Sequence, residues 1–304
     1  MKLLDQVLQA KLPLNIEDES GRYQLPGVGE LGELLTACST RFVADLNVAS
    51  YCGSLLSTDQ GMLQGRNEYL RVPAALFWIE WPSPQPIQDN VPGPRTGVLV
   101  EADESGRAGR LTTVFEQVNE EPVTGQMTAS FDLDDDAFYS KALNGACTLQ
   151  PGSHPLAPYL MFQVEPAWER HFNCSPKEVV LKAAGHMIVP ILQGIEFLFV
   201  FSALLAERAA LRRDEVDLTR LNRQRIRNGK TPLLNHVEIR LDLSAASSPE
   251  GERVGGDREP ARLHSVRGHM VTRAGRTFWR RSHLRGDPSR AGWVRTVHIT
   301  RTSI

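Results

Sequence analysis

The sequence predicts an α+β fold, in which an antiparallel sheet packs against a long central helix and a basic β-rich module follows. Three observations predict it. Segments typical of strands lie between residues 74 and 134, an apolar run occupies residues 187–206, and the charge of the chain changes sign after it. We therefore divide the chain into an acidic α+β region at residues 1–150, a helical region at residues 151–235 and a hairpin-rich module at residues 236–304.

The acidic region begins with a predicted helix and continues with a predicted sheet. Residues 28–48 have apolar side chains at helical spacing. Four later segments are rich in β-branched and aromatic residues or alternate in polarity, and they predict neighbouring antiparallel strands. These segments are residues 74–82, 97–103, 109–118 and 125–134.

An acidic cluster follows the last of these strands. Its members are Asp132, Asp134, Asp135 and Asp136. The spacing of an EF-hand calcium loop is not met, because the required glycine and terminal glutamate are missing. We interpret the cluster as a solvated loop.

The apolar run at residues 187–206 has about the length of a membrane span. Pro190 and Glu196 interrupt it, however, and the chain continues directly into the strongly charged residues 207–228. A long helix whose first half is buried in the protein core accounts for both parts. A first helix that begins at Ser175-Pro176 leads into it, and it ends near Asn228-Gly229. We expect no association with a membrane.

Charge is segregated along the chain. Residues 1–207 contain 13 basic and 26 acidic side chains, whereas residues 208–304 contain 21 basic and 10 acidic ones. The last 45 residues contain ten arginines, four histidines and one acid. Such segregation predicts a basic surface that faces an anionic partner, with nucleic acid as the first candidate.

Motifs that would indicate a cofactor or a metal are absent from the sequence. It contains no G-x-x-x-x-G-K-[ST] phosphate loop, no G-x-S-x-G nucleophile elbow and no H-E-x-x-H zinc motif. The four cysteines have no C-x-x-C spacing, so we interpret them as free thiols in a reducing cytoplasm. No cofactor and no metal are expected.

The basic module is predicted to contain strands at residues 236–243 and 293–301, a loop at residues 244–261 and a hairpin at residues 262–286. If the hairpin turns at Ala274-Gly275, Arg273 pairs with Arg276. Strand alternation then divides the candidate site residues between two faces. One face carries His264, Trp279, Arg281, His283 and Arg285, and the reverse face carries Arg267, His269 and Arg280.

Three functions are compatible with this hairpin. In the first, Arg267, Arg280, Arg281 and Arg285 contact phosphates of a nucleic acid, most readily RNA. His269 belongs to the same surface, and Trp279 either stacks on a base or lies in the core.

In the second function, His264 and His283 act as the acid–base pair of a metal-independent ribonuclease, with arginine stabilising the transition-state charge. Zinc at His264, His269 and His283 is disfavoured, because cationic arginines stand beside each ligand.

In the third, the arginines bind protein. They dock on the acidic half of the chain, in cis or on a neighbouring subunit, or the chain is an interaction module that inhibits a host factor or forms part of a virion. An acidic surface suits such an interaction module, because it can mimic nucleic acid towards a basic target. The sequence does not determine the oligomeric state.

Three segments resemble a group of proteins encoded by tailed bacteriophages and prophages. They are Val72-Pro73 through Trp78-Ile79-Glu80, Leu221-Asn222 through Arg225 and Gly229-Lys230 to Pro232-Leu233, and His264 through Arg267-Gly268-His269. The chain departs from the group pattern at Val72 and at Met270-Val271-Thr272. The resemblance spans about residues 70–290 and implies a phage-encoded protein in the cytoplasm of the bacterial host. It implies no activity and no site residues.

Overall fold

The computed structural model describes residues 1–10, 14–18, 21–25, 30–58, 70–83, 93–117, 121–142, 146–150, 152–164, 176–206, 211–241, 264–266, 269–273, 276–280 and 283–285. Of the strands between residues 264 and 285, the backbone is described. The chain divides into two compact units. One is Met1–Ala203 with Arg213–Arg240, and the other is Leu204–Arg212 with Leu241–Ile304.

The described residues form a mixture of helices and strands, so the predicted α+β class is confirmed. The helices are α1 (Leu3–Gln9), α2 (Glu30–Ala37), α3 (Leu46–Thr58), α4 (Pro176–Ala206) and α5 (Thr219–Arg227). The strands are β1 (Leu14–Asp18), β2 (Gly21–Leu25), β3 (Thr40–Ala44), β4 (Leu76–Pro82), β5 (Arg95–Ala102), β6 (Ala108–Phe115), β7 (Val123–Asp132), β8 (Ala146–Cys147), β9 (Leu160–Val164), β10 (Leu211–Val216), β11 (His236–Leu241), β12 (His264–Val266), β13 (His269–Arg273), β14 (Arg276–Arg280) and β15 (His283–Arg285).

Nine of these strands form one sheet in the order β10-β11-β3-β4-β5-β6-β7-β9-β8. The four predicted strands are confirmed as β4 to β7, each antiparallel to the next. The sheet extends beyond the predicted strands, and on one side β3, which was not predicted as a strand, is parallel to both β4 and β11. Parallel neighbours need a crossover connection, and α3 provides it between β3 and β4.

The predicted helix at residues 28–48 is interrupted by a strand. Helix α2 ends at Ala37, β3 follows at once, and α3 begins at Leu46. Phe42, Val43 and Ala44 are all buried. A strand that is buried between two parallel neighbours has an unbroken apolar run, so its polarity did not alternate and the segment matched helical spacing.

The two helices predicted between Ser175 and Asn228 are divided differently in the structure, where α4 includes both the first of them and the apolar run. The start at Pro176 and the end at Asn228-Gly229 are confirmed, and Gly229 has the positive φ of a helix-terminating glycine. Between them, α4 ends at Ala206 and the edge strand β10 precedes α5. Asp217 accepts a hydrogen bond from the backbone N–H of Thr219 at 2.9 Å, which forms a turn between the strand and the new helix.

The strand expected from residue 236 and the acidic turn after β7 are both present in the structure. Strand β11 confirms the strand expected from residue 236, but it pairs with β3 in the large sheet. The acidic residues after β7 form a surface turn as predicted, with Asp134 and Asp136 exposed and Arg107 bridging Asp134 at 2.8 Å. The loop at residues 244–261 and the strand at residues 293–301 lie outside the described residues.

Helix α4 packs on one face of the sheet through aromatic side chains. Phe197 stacks on Trp81 at a centroid distance of 3.9 Å, and Phe199 meets Phe131 edge to face at 5.7 Å. Its segment Ile188–Leu205 is long and apolar enough to cross a membrane, with a mean hydropathy of 2.1, and 61% of it is buried inside the protein. This burial favours the interpretation as a core helix.

The other face of the sheet carries a buried carboxylate. The Glu80 side chain is completely buried and accepts four hydrogen bonds. Oε1 accepts from Leu3 N at 3.0 Å and from Arg95 Nη1 at 3.1 Å, and Oε2 accepts from Leu4 N at 2.8 Å and from Trp78 Nε1 at 3.2 Å. Burial raises the pKa of the Glu80 carboxyl, and the charge of Arg95 opposes this shift. Glu80 therefore caps α1 from the middle of the sheet.

We expect Glu80→Gln to destabilise the protein by about 3 kcal/mol. The neutral amide leaves Arg95 without an anionic partner, and the amide N–H groups face N–H donors that the carboxylate accepted from. Urea unfolding measures this change. Glu101→Gln is the matched control, since Glu101 is an exposed glutamate on the neighbouring strand. Equal unfolding midpoints for the two variants would contradict the role of Glu80.

Candidate functional site

The backbone of the predicted hairpin is antiparallel and has the predicted register. Strands β13 and β14 pair Arg273 with Arg276 and His269 with Arg280. The pairing predicted from a turn at Ala274-Gly275 is therefore confirmed, while those two residues themselves lie outside the described part of the chain.

The same register continues in the outer pair of strands. β12 and β15 pair His264 with Arg285 and Val266 with His283. His264 and His283 thus occupy the diagonal positions that the sequence predicted, where residues are roughly 7–8 Å apart. Their role as an acid–base pair stays a prediction.

Of the other predicted site residues, some lie in the paired strands and some lie outside the described part of the chain. Trp279 pairs with Met270, and Arg280 with His269, so these two consecutive residues belong to opposite faces of the ribbon. Arg267 and Arg281 lie outside the described residues. We use the name "basic ribbon" for strands β12 to β15.

Cationic or titratable residues stand directly opposite one another on three rungs of the basic ribbon. These rungs are 264 with 285, 269 with 280, and 273 with 276. Like charges in directly opposed positions destabilise an antiparallel pair. The pairing of Arg273 with Arg276 therefore concentrates positive charge at a cost to the ribbon itself.

A second basic segment, predicted from the sequence as the charged second half of the long helix, lies in the other unit. Helix α5 contains four arginines, and none of its residues is buried. The spacing of Arg220, Arg223 and Arg227 was visible in the sequence and indicates one helix face.

Three contacts hold the loop after α5 against the helix. The Asn222 amide donates to Leu233 O at 2.7 Å and accepts from Leu233 N at 2.8 Å, and Arg225 Nε donates to Thr231 O at 2.9 Å. Gly229 has a φ of +66° at the turn. The residues of the Leu221-Asn222 to Pro232-Leu233 motif thus have a structural function, which is to close this helix–loop unit.

The pairing of His154 with Glu196 explains the single charge in the apolar helix. Leu156 N donates to His154 Nδ1 at 3.1 Å, so Nε2 carries the proton and donates to Glu196 at 2.8 Å. Both ring nitrogens are engaged, which leaves no free lone pair for a general base. This pair ties the loop before β9 to α4.

The described cysteines are buried or half-buried free thiols. Burial raises the pKa of Cys52, and it raises the pKa of Cys147 to about 11, so neither is a thiolate at neutral pH. Cys174 lies outside the described residues. Within the described part of the chain, no three His, Cys, Asp or Glu side chains are grouped as metal ligands.

An ion-pair cluster joins the start of the chain to β11. Glu238 Oε1 binds Lys2 Nζ at 2.9 Å, and Glu238 Oε2 binds Arg240 Nη2 at 2.8 Å. The hydrogen bond from Lys2, followed by that from Arg240, lowers the pKa of Glu238 to about 2. Glu238 therefore stabilises the fold above its ordinary pKa, and this contribution is lost as the pH falls towards about 2.

Comparison of the chain with protein-family models, with curated proteins and with solved structures finds no match. A functional proposal therefore rests on residue chemistry and on the geometry of the two basic segments.

For the helix–loop unit, we expect Asn222→Ala to increase hydrogen exchange of the α5 amides by roughly tenfold, because two hydrogen bonds are lost and no burial compensates. Hydrogen exchange followed by mass spectrometry measures it. Gln224→Ala on the exposed face is the control. Unchanged protection of α5 in Asn222→Ala would show that the amide does not hold the helix.

For the ion-pair cluster, we expect Glu238→Gln to lower Tm by roughly 2–4 °C at pH 7, the value for about 1 kcal/mol of partly screened ion pairing. The difference should shrink as the pH falls through the acidic range and vanish near pH 2. Thermal unfolding of both proteins across this range measures it, and a constant Tm difference would contradict the assignment.

Proposed function

We propose that this chain is a phage-encoded accessory protein that binds nucleic acid, RNA in the first place, through the basic ribbon. The resemblance to tailed-phage proteins supports the source and a site of action in the cytoplasm of the bacterial host. The charge of the chain supports the ligand class, because ten arginines and one acid occur in its last 45 residues.

The observation that carries the proposal is the register of the ribbon, which pairs Arg273 with Arg276 and sets a histidine opposite an arginine on two further rungs. An isolated ribbon would be more stable with a neutral or oppositely charged partner on the Arg273–Arg276 rung. A polyanion removes the repulsion when it binds, and arginine is suited to phosphate because its planar fork donates two parallel hydrogen bonds. Binding would release counterions and depend steeply on salt.

The diagonal relation of His264 and His283 favours RNA cleavage as a second candidate function. One imidazole would accept the proton of the 2′-hydroxyl and the other would protonate the leaving oxygen. The RNA from a binding experiment, separated on a denaturing gel, tests this candidate. Cleavage that survives His264→Ala would exclude the pair.

For the basic ribbon, we expect the double variant Arg273→Ala/Arg276→Ala to bind a short single-stranded RNA roughly tenfold more weakly than the wild type. The slope of log K against log salt should become shallower by about 1–2, because two phosphate contacts are lost. The variant should also be at least as stable as the wild type, since a like-charge rung is removed.

The control is Arg71→Glu, which changes the net charge by the same amount at an exposed position of the other unit. Fluorescence anisotropy across a salt series measures the affinity, and thermal unfolding measures the stability. Equal affinity and equal slope in the double variant and the wild type would refute binding through the ribbon.

A further inference from the structure

Helix α5 presents three arginines on one face. Arg220, Arg223 and Arg227 are exposed and follow each other at intervals of three and four residues, which places them along one side of the helix. We call these residues the arginine stripe. Lys230, just beyond the helix, is also exposed.

Part of the charge of the arginine stripe is unfavourable for its own helix. No acidic residue occurs between Asp217 and Glu238. Asp217 stands just before the helix, and the Thr219 hydroxyl and then the charge of Arg223 lower its pKa. Arg227 lies in the last turn, where a cation is favourable. Arg223 and Arg227 are like charges one turn apart, which is unfavourable. Arg220 lies in the first turn, where the helix dipole disfavours a cation.

The helix itself is held by polar contacts and not by burial. It has nine residues and buries none of them, and helices this short are marginal in water. Asn222 and Arg225 bind the backbone of the returning loop, and Gly229 permits the turn. The protein thus pre-organises a short helix whose outward face is cationic, and pre-organisation lowers the entropic cost of binding.

We propose that the arginine stripe contacts the phosphate backbone of nucleic acid without reading its base sequence. The stripe spans about 10 Å along the helix axis, a distance over which duplex DNA carries several phosphate charges. Exposed guanidinium groups bind phosphate through paired hydrogen bonds. The ligand class is the same as in the proposed function, and the choice of nucleic acid as the ligand rests on that proposal. The residues of the arginine stripe belong to the other compact unit.

The test compares the full-length wild type with a stripe variant, Arg220→Ala/Arg223→Ala/Arg227→Ala. The probes are a labelled single-stranded RNA and a labelled duplex DNA, both of random sequence, each titrated across a salt series. We expect the stripe variant to bind at least tenfold more weakly, with a salt slope shallower by roughly 2–3. Unchanged affinity and slope for both probes would overturn the proposal.

Two controls separate phosphate contact from other effects. Arg71→Glu/Gln150→Glu lowers the net charge by the same amount at exposed positions away from α5, and it should retain affinity and slope. A stripe variant with glutamine in place of alanine keeps long side chains on the helix and should show the same loss. Circular dichroism and Tm of each variant should match the wild type, because no altered side chain is buried.

The result for this proposal can be distinguished from that for the basic ribbon. Loss of binding in the stripe variant with normal binding by Arg273→Ala/Arg276→Ala supports the stripe and refutes the ribbon. The reverse result refutes the stripe alone. Displacement of the probes by polyglutamate at equal charge concentration would also overturn the assignment, because the stripe would then bind acidic peptides equally well.

Discussion

The buried carboxylate of Glu80 is the constraint on which the larger unit depends. A carboxylate that is removed from water costs several kcal/mol unless every lone pair is satisfied. Two backbone donors of α1, the Trp78 indole and Arg95 meet this requirement together. The Trp78 ring lies over Gly97, where a Cβ atom would come within 2.2 Å of it. These contacts therefore fix the position of helix α1 and of the Trp78 indole relative to strand β4.

From α1, polar contacts continue to the basic helix. Lys2 bridges Glu238 on β11, and Asp5 accepts a hydrogen bond from Leu234 N at 3.3 Å. The preceding residue, Leu233, is held by Asn222 of α5. Asp5 is buried, and this burial raises the pKa of its carboxyl. A helix without a buried residue is thereby connected to the core of the sheet.

The two basic segments share a physical feature. In the basic ribbon Arg273 is paired with Arg276, and in α5 Arg223 and Arg227 follow each other along one face. Both arrangements are unfavourable in isolation and become favourable beside an anionic ligand. In both segments, cations of like charge are placed close together at a local cost in stability.

The sequence by itself determined the α+β class, strands β4 to β7, the start of α4 and the pairing of Arg273 with Arg276, because local periodicity and turn chemistry carry this information. Only the tertiary structure decided that Phe42 belongs to a parallel strand and that the helix expected to reach Asn228 is broken by β10. It also decided that Glu80, a charge in an apolar strand, is a helix cap, and that Asn222 closes a loop. These contacts join residues far apart in the chain, and local patterns do not specify such partners.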